Sequence, residues 1–302
     1  MIGLDKSQGI GASEVPAIAG LSPWTTPVAV WMRKVGLAQP QYPSPAMAAG
    51  LAVEGTLVTL LALDQDVPLK RNAVSFPHPD WPAIPLYATP DAFGPHRRSL
   101  AEVKLVGHRM GDWASGVPEY VRLQVQAQMA VYRKAQRAYV GALVGGELRA
   151  YVIDRDPEAI HGLEAAVADW VRDYLRPQVA PDPETDNDRW ALVRARALQE
   201  DRPVRLATGE EEAVAARLAA LLDHQRDLEA EVDALRLHLA ESTQDGDLIG
   251  STWRARWTDR KRTDWAAVAR RARVPRYVVE AATSRSPVFT FRRTNTPQEA
   301  SA

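Results

Sequence analysis

The sequence predicts an α/β fold: a mixed central sheet flanked by helices, followed by a helical, basic C-terminal extension. Three observations predict it. β-rich runs at about 86–93, 100–106, 138–144 and 147–153 interleave with helical patterns at about 46–63, 119–135 and 157–174, as expected of strands covered by helices. Gly145-Gly146 joins two of the runs, which is a strong hairpin signal. Beyond them, apolar residues from Val214 to Leu239 recur at spacings of three and four, and twelve Lys/Arg stand against three Asp/Glu between Ser251 and Arg293.

The elements follow from local chemistry. Ser13 reads as the N-cap of a short helix that stops at Gly20. Thr26-Pro27 opens a second helix, with proline in its first turn and Gly36 just past its end. A proline-rich loop then leads into the third helix. The acidic, proline-rich stretch from Pro177 to Asp188 reads as a linker or exposed loop. The seam Val214, Leu218, Leu221, Leu228, Val232, Leu235 and Leu239, interrupted at Gln225, predicts a coiled-coil-like helix packed against the chain's own helices. Near the end, Trp253, Ala255 and Trp257 fall on one face of a strand and Arg254 and Arg256 on the other. Asp264 is placed to cap a short helix from Trp265, and Val288–Phe291 reads as a closing strand. These boundaries divide the chain into residues 1–180, 181–245 and 246–302.

Composition removes several function classes. The chain has no cysteine, so disulfides, thiolate zinc sites and a cysteine nucleophile are out. Met1–Lys6 lacks the basic and apolar regions of a secretory signal. No apolar run reads as approaching the roughly 20 residues of a membrane span, and the expectation is a soluble, cytoplasmic protein without a membrane partner. No H-E-x-x-H, phosphate-binding glycine loop or G-x-S-x-G occurs, and the six histidines show no metal-ligand spacing. The net charge of −1 conceals an acidic body and a basic C-terminal stretch, a footprint for phosphates.

The chemistry concentrates around Ala101-Glu102-Val103-Lys104-Leu105. In a strand, Glu102 and Lys104 share one face. Asp91 follows Thr89-Pro90, and if the two strands pair as a hairpin it approaches Glu102. Neighbouring carboxylates repel unless a cation neutralises them, and hard oxygen ligands suit Mg²⁺ or Mn²⁺. Lys104 could orient or deprotonate a water that attacks phosphorus. Glu54 sits amid apolar same-face neighbours on the third helix and needs a partner there. Gln124, on its own helix, could hold a catalytic water or a phosphate oxygen. Ser13 could bind an anion at a helix start, with Lys6 shortly before it. His108 follows the Glu-x-Lys triplet closely enough to face the same site.

Taken together, these motifs resemble the YqaJ-like viral recombinase family of the PD-(D/E)xK nuclease superfamily. Ile10–Val15 with Gly20–Trp24 is similar to its opening motif, Gly50–Glu54 to its helical glutamate motif, Ala88–Asp91 with Ala101–Lys104 to its split acidic motif, and Leu123–Gln126 with Met129–Val131 to its glutamine helix. The resemblance spans roughly the first 155 residues. It implies digestion of linear double-stranded DNA from 5′ ends, leaving 3′ overhangs for a single-strand annealing protein. It also implies metal ligation by Glu54, Asp91 and Glu102, water activation by Lys104, support from Gln124, and 5′-phosphate contacts from Ser13 and Lys6, the latter at a position where the family often carries arginine. A toroidal trimer is known in the family, and such proteins are encoded by phages or prophages. Arg254 and Arg256, outside the resemblance, are candidate DNA contacts by charge. Two other readings stay open: a structure-specific or single-strand endonuclease, and a catalytically inactive DNA-binding recombination accessory protein.

Overall fold

The computed structural model describes residues 4–38, 44–107, 109–197, 205–243, 246–258, 264–275 and 278. His108 and the expected strand at Val288–Phe291 lie outside these residues. The chain forms two compact units, residues 1–193 and 194–302.

In the first unit, β1 (Ile10–Gly11) leads through a tight helical turn into α1 (Val15–Ile18), followed by α2 (Pro27–Lys34) and α3 (Pro45–Asp64). Next come β2 (Lys70–Arg71), β3 (Phe76–Pro77), β4 (Leu86–Ala88), β5 (Ala92–Phe93) and β6 (Ser99–Val106). The unit closes with α4 (Glu119–Val131), β7 (Arg137–Val144), β8 (Glu147–Asp154), α5 (Pro157–Trp170) and α6 (Asp186–Ala197), the last crossing the boundary. Five strands form the main sheet in the order β2-β5-β6-β7-β8, and β1-β4-β3 form a smaller one. In the main sheet β6 runs parallel to β7 and antiparallel to β5. The mixed sheet flanked by helices is therefore the architecture present.

Local signals explain most elements. Thr26 accepts a hydrogen bond from the Ala29 N–H and Ser44 from the Met47 N–H, each with proline next in sequence, satisfying otherwise orphaned donors. Gly145 and Gly146, at φ +60° and +93°, supply the left-handed pair that a two-residue hairpin needs. The helix expected to reach residue 135 ends at Val131, because Tyr132 leaves helical geometry.

Four expectations are corrected. The run 86–93 is not one strand: it divides between two sheets at Thr89-Pro90-Asp91, where proline has no N–H for a ladder. Ser13 is not an N-cap but lies inside the turn Ala12–Glu14, with Glu14 preceding α1 and making no side-chain cap. The stretch ending at Asp188 is not all linker: Asp188 is buried and accepts from Thr26 Oγ1 at 2.6 Å, tying the start of α6 to α2. By length and composition α3 is long and apolar enough to cross a membrane, so an apolar run of that length does exist.

One face of α3 packs on the main sheet. Leu57, Val58 and Leu61 are buried against Ala92, Ala101 and Val103. Leu61 is fully buried. Leu61→Ala should therefore cost about 2–5 kcal/mol in urea unfolding, and a cost below about 1 kcal/mol would mean that the helix is loosely seated.

The second unit is built on α7 (Gly209–Ser242), followed by the hairpin β9 (Leu248–Ile249) and β10 (Arg254–Ala255) and by α8 (Trp265–Arg271). Thr208 and Glu211 cap α7 reciprocally, and Asp264 accepts from the Ala267 N–H at the start of α8. No residue of α7 is buried, so the expected packing of its seam against the chain's own helices does not occur among the described residues. A helix of 34 residues is about 50 Å long at 1.5 Å per residue, far more than a two-residue hairpin covers.

Candidate active site

The site is centred on β6. Alternation turns Ala101 and Val103 toward α3 and Glu102 and Lys104 toward α4. Glu102 is buried, and its carboxylate is saturated with donors. Lys104 Nζ and Gln124 Nε2 donate to Oε1, each at 2.6 Å, and Gln128 Nε2 donates to Oε2 at 2.7 Å. Lys104 also donates to Gln124 Oε1 at 3.1 Å. Gln124 and Gln128 are both buried, and four residues along α4 place them on one face.

Asp91 arrives from the other side. Its N–H donates to the Ala101 carbonyl at 3.1 Å and its Oδ2 accepts from the Val103 N–H at 2.8 Å. The break at Pro90 thus delivers a carboxylate to β6, opposite the residues flanking Glu102. Burial, the charge of Glu102 and, further down, the charge of Glu54 push the Asp91 carboxyl up to about 8 against the pull of Val103 and Lys104. Lys104 is drawn down by burial, but the adjacent Glu102 and Asp91 outweigh this and leave it above its usual value. Its side chain is 32% exposed, so a charged ammonium faces the opening.

That opening is a cavity of about 330 Å³ lined by Lys104, Gln124, Tyr120 and Trp113 on one side and by Ser13, Ser22 and Trp24 on the other. Ser13 is exposed. Lys6 does not line the cavity; its ammonium lies 5.5 Å over the ring of Tyr87. A second lysine, Lys34, is buried there, paired with Glu14 at 2.6 Å and donating to the Tyr87 hydroxyl at 2.9 Å. Glu54 stands apart. It belongs to the helix on the other face of the sheet and is bound by Arg71 at 3.2 Å. A Cβ at Gly55 would meet the Arg71 guanidinium at 2.9 Å, so glycine there lets the arginine cross the helix. In the second unit Arg254 pairs with Asp247 at 2.7 Å. Arg256 lines a cavity of about 330 Å³ with Arg236, Arg254 and Trp257.

Two features bear on a cation. Burial first, and the charge of Glu102 second, raise the Asp91 carboxyl to about 8, and the carbonyl oxygen of Gln128 is buried without a hydrogen-bond partner. Both suit a hard divalent ion beside Asp91 and Glu102. Among the described residues, however, no three His, Asp or Glu side chains converge on one point, because Glu54 is held by Arg71. The pair fits a metal; the triad, as arranged, is incomplete.

Sequence reasoning missed Gln128 and Arg71. A second glutamine four residues after Gln124 was a visible signal. Arg71 gave none, since its partner lies 17 residues away on another element.

A profile of the YqaJ-like viral recombinase domain matches residues 4–135. Residues 4–135 are therefore similar to the YqaJ-like viral recombinase domain. The match covers under half of the chain but holds every site residue named above in the first unit, from Lys6 to Gln128. Among solved structures, this chain is similar to an alkaline exonuclease from Laribacter hongkongensis, with 17% identity, 58% of this chain and 91% of that chain covered, and a TM-score of 0.48. It is also similar to a phage-related exonuclease from Haemophilus somnus 129PT, at 14% identity, 57% and 95% coverage and a TM-score of 0.44. No curated protein matches. Asp91, Glu102, Lys104 and the glutamine helix all fall within the matched residues.

Proposed function

We propose that this protein is a metal-dependent deoxyribonuclease that degrades linear double-stranded DNA from 5′ ends and leaves 3′ single strands. The observation that carries this reading is the Asp91–Glu102–Lys104 cluster, braced by Gln124 at the mouth of the cavity that Ser13 lines. The match to a viral recombinase domain supports it.

In this reading water attacks phosphorus, the bond from phosphorus to the 3′ oxygen breaks, and that oxygen takes a proton. Lys104, kept charged by its carboxylate neighbours, donates hydrogen bonds to the attacking water or to the phosphoryl oxygens on which charge accumulates. Its raised pKa favours this orienting role over proton abstraction. Gln124 fixes Lys104 and Glu102 relative to each other. Asp91 and Glu102 would hold Mg²⁺ or Mn²⁺, which supplies charge neutralisation and polarises the phosphate when bound. Ser13, on the opposite wall, would accept the terminal 5′-phosphate.

The test is digestion of 5′-phosphorylated linear duplex beside covalently closed circles, in Mg²⁺ or EDTA. The linear duplex should vanish only with metal, and the circles should survive. Cut circles would replace the exonuclease by an endonuclease, and an inert, folded protein in both Mg²⁺ and Mn²⁺ would leave a DNA-binding accessory role. In the same assay buffers, an Arg254→Ala/Arg256→Ala variant should reduce the salt dependence of duplex binding by about one unit of log–log slope per lost phosphate contact. An unchanged slope would remove both arginines from the DNA interface.

A further inference from the structure

The edge of the main sheet carries a feature the active site does not use. β2 and the turn between β5 and β6 enclose a groove of about 570 Å³ whose lining includes Lys70, Arg71, His96 and Arg97 and no acidic residue. This is not the background composition of the chain, because residues 1–250 carry a net negative charge.

The basic groups are held in place. The Arg97 guanidinium carbon lies 5.2 and 5.1 Å from the ring centroids of Phe76 and Phe93. Such stacking fixes the plane of a guanidinium while leaving its N–H groups free to donate. Lys70, His96 and Arg97 are exposed, and they make no ion pair among the described residues. His96 and Arg97 sit consecutively in left-handed backbone, at φ +54° and +56°, which is uncommon for residues other than glycine and clusters at functional sites. Arg71 lines the groove and also reaches Glu54, whose charge acts on Asp91.

We propose that this groove binds the phosphodiester backbone of duplex DNA, forming a second contact that leads toward the active site. The inference rests on the nuclease reading above. A backbone fits better than unstacked bases, because the one aromatic ring that lines the groove, Phe93, is buried, packed against Tyr132 and covered by Arg97. Lys70 and Arg97, two exposed cations with no ion pair among the described residues, suit successive phosphates, with the planar guanidinium matching phosphate geometry. The strand edge presents them from rigid backbone, so the contact sets register and not sequence.

The test compares wild type with Lys70→Gln/Arg97→Gln in duplex binding by fluorescence anisotropy in EDTA, across salt concentrations, and in digestion rate with Mg²⁺. The double variant should lose about 1.8 units of log–log salt slope, roughly 0.9 per phosphate, and bind about ten-fold more weakly at moderate salt. Its digestion rate at saturating protein should stay within two-fold of wild type, because the groove adds affinity and not chemistry. Lys70→Gln alone, on an exposed side chain, should lose about half of the slope and guards against a folding defect at Arg97. Unchanged slope and affinity would overturn the groove while leaving the nuclease reading intact. An equal loss of saturated rate would overturn it too, by showing that the substitutions act through the site. Wild type that neither binds nor digests duplex would overturn both readings.

Discussion

Lys104→Ala is expected to lose about 10²–10³-fold in metal-dependent hydrolysis while remaining folded. Lys104 is hydrogen-bonded to both Glu102 and Gln124, at 2.6 and 3.1 Å, and it lines the cavity where a phosphate would sit. Removing it deletes a preorganised donor aimed at developing charge. The fold should survive, because Gln124 and Gln128 still donate to both oxygens of Glu102. Arginine should not rescue the variant, since a planar fork cannot take the place of a point donor between two acceptors this close. Single-turnover digestion of labelled duplex, with thermal melts of both proteins, measures the effect. Retention of activity within ten-fold would move the chemistry elsewhere.

Asp91→Asn is expected to abolish metal binding and, in the same protein, to remove a pH-dependent loss of stability. The sign follows from where the proton sits. Folded Asp91 holds its proton to about pH 8, whereas an unfolded aspartate releases it near pH 4. Between those values the folded state binds more protons than the unfolded one, so stability falls as pH rises. The contribution is fully present below about pH 4 and lost as pH passes about 8, with a slope of at most about 1.4 kcal/mol per pH unit. Asparagine keeps an acceptor for the Val103 N–H but carries no charge, so metal-free Asp91→Asn should be more stable than wild type at pH 8 and equal to it at pH 4. Divalent metal should close the gap from the other side by stabilising only the wild type. Urea unfolding in EDTA from pH 4 to 8, with Mn²⁺ calorimetry, tests both halves. A wild type as flat in pH as the variant would show that Asp91 ionises freely in the fold.

Much of this was legible in short windows. Thr26-Pro27 marks a helix start because capping is a contact between residues three apart. Gly145-Gly146 marks a hairpin because left-handed backbone is a local cost. Strand alternation placed Glu102 and Lys104 on one face because the period of two needs no tertiary information. The same logic, applied at Ser13, produced a cap that the chain does not use, since the turn Ala12–Glu14 begins before it.

By itself, then, the sequence determined the alternation of helices and strands, the hairpin, and the pairing of a carboxylate with an ammonium on β6. Tertiary structure alone decided which polar groups complete the site. It moved β4 into a second sheet and left Asp91 on the first, brought Gln128 to Glu102 across 26 residues of chain, and tied Glu54 to Arg71. The physical reason is range. Caps, turns and alternation are settled by neighbours within a few residues, but a buried polar group takes whatever partner the topology delivers, and that partner is invisible in any window around it.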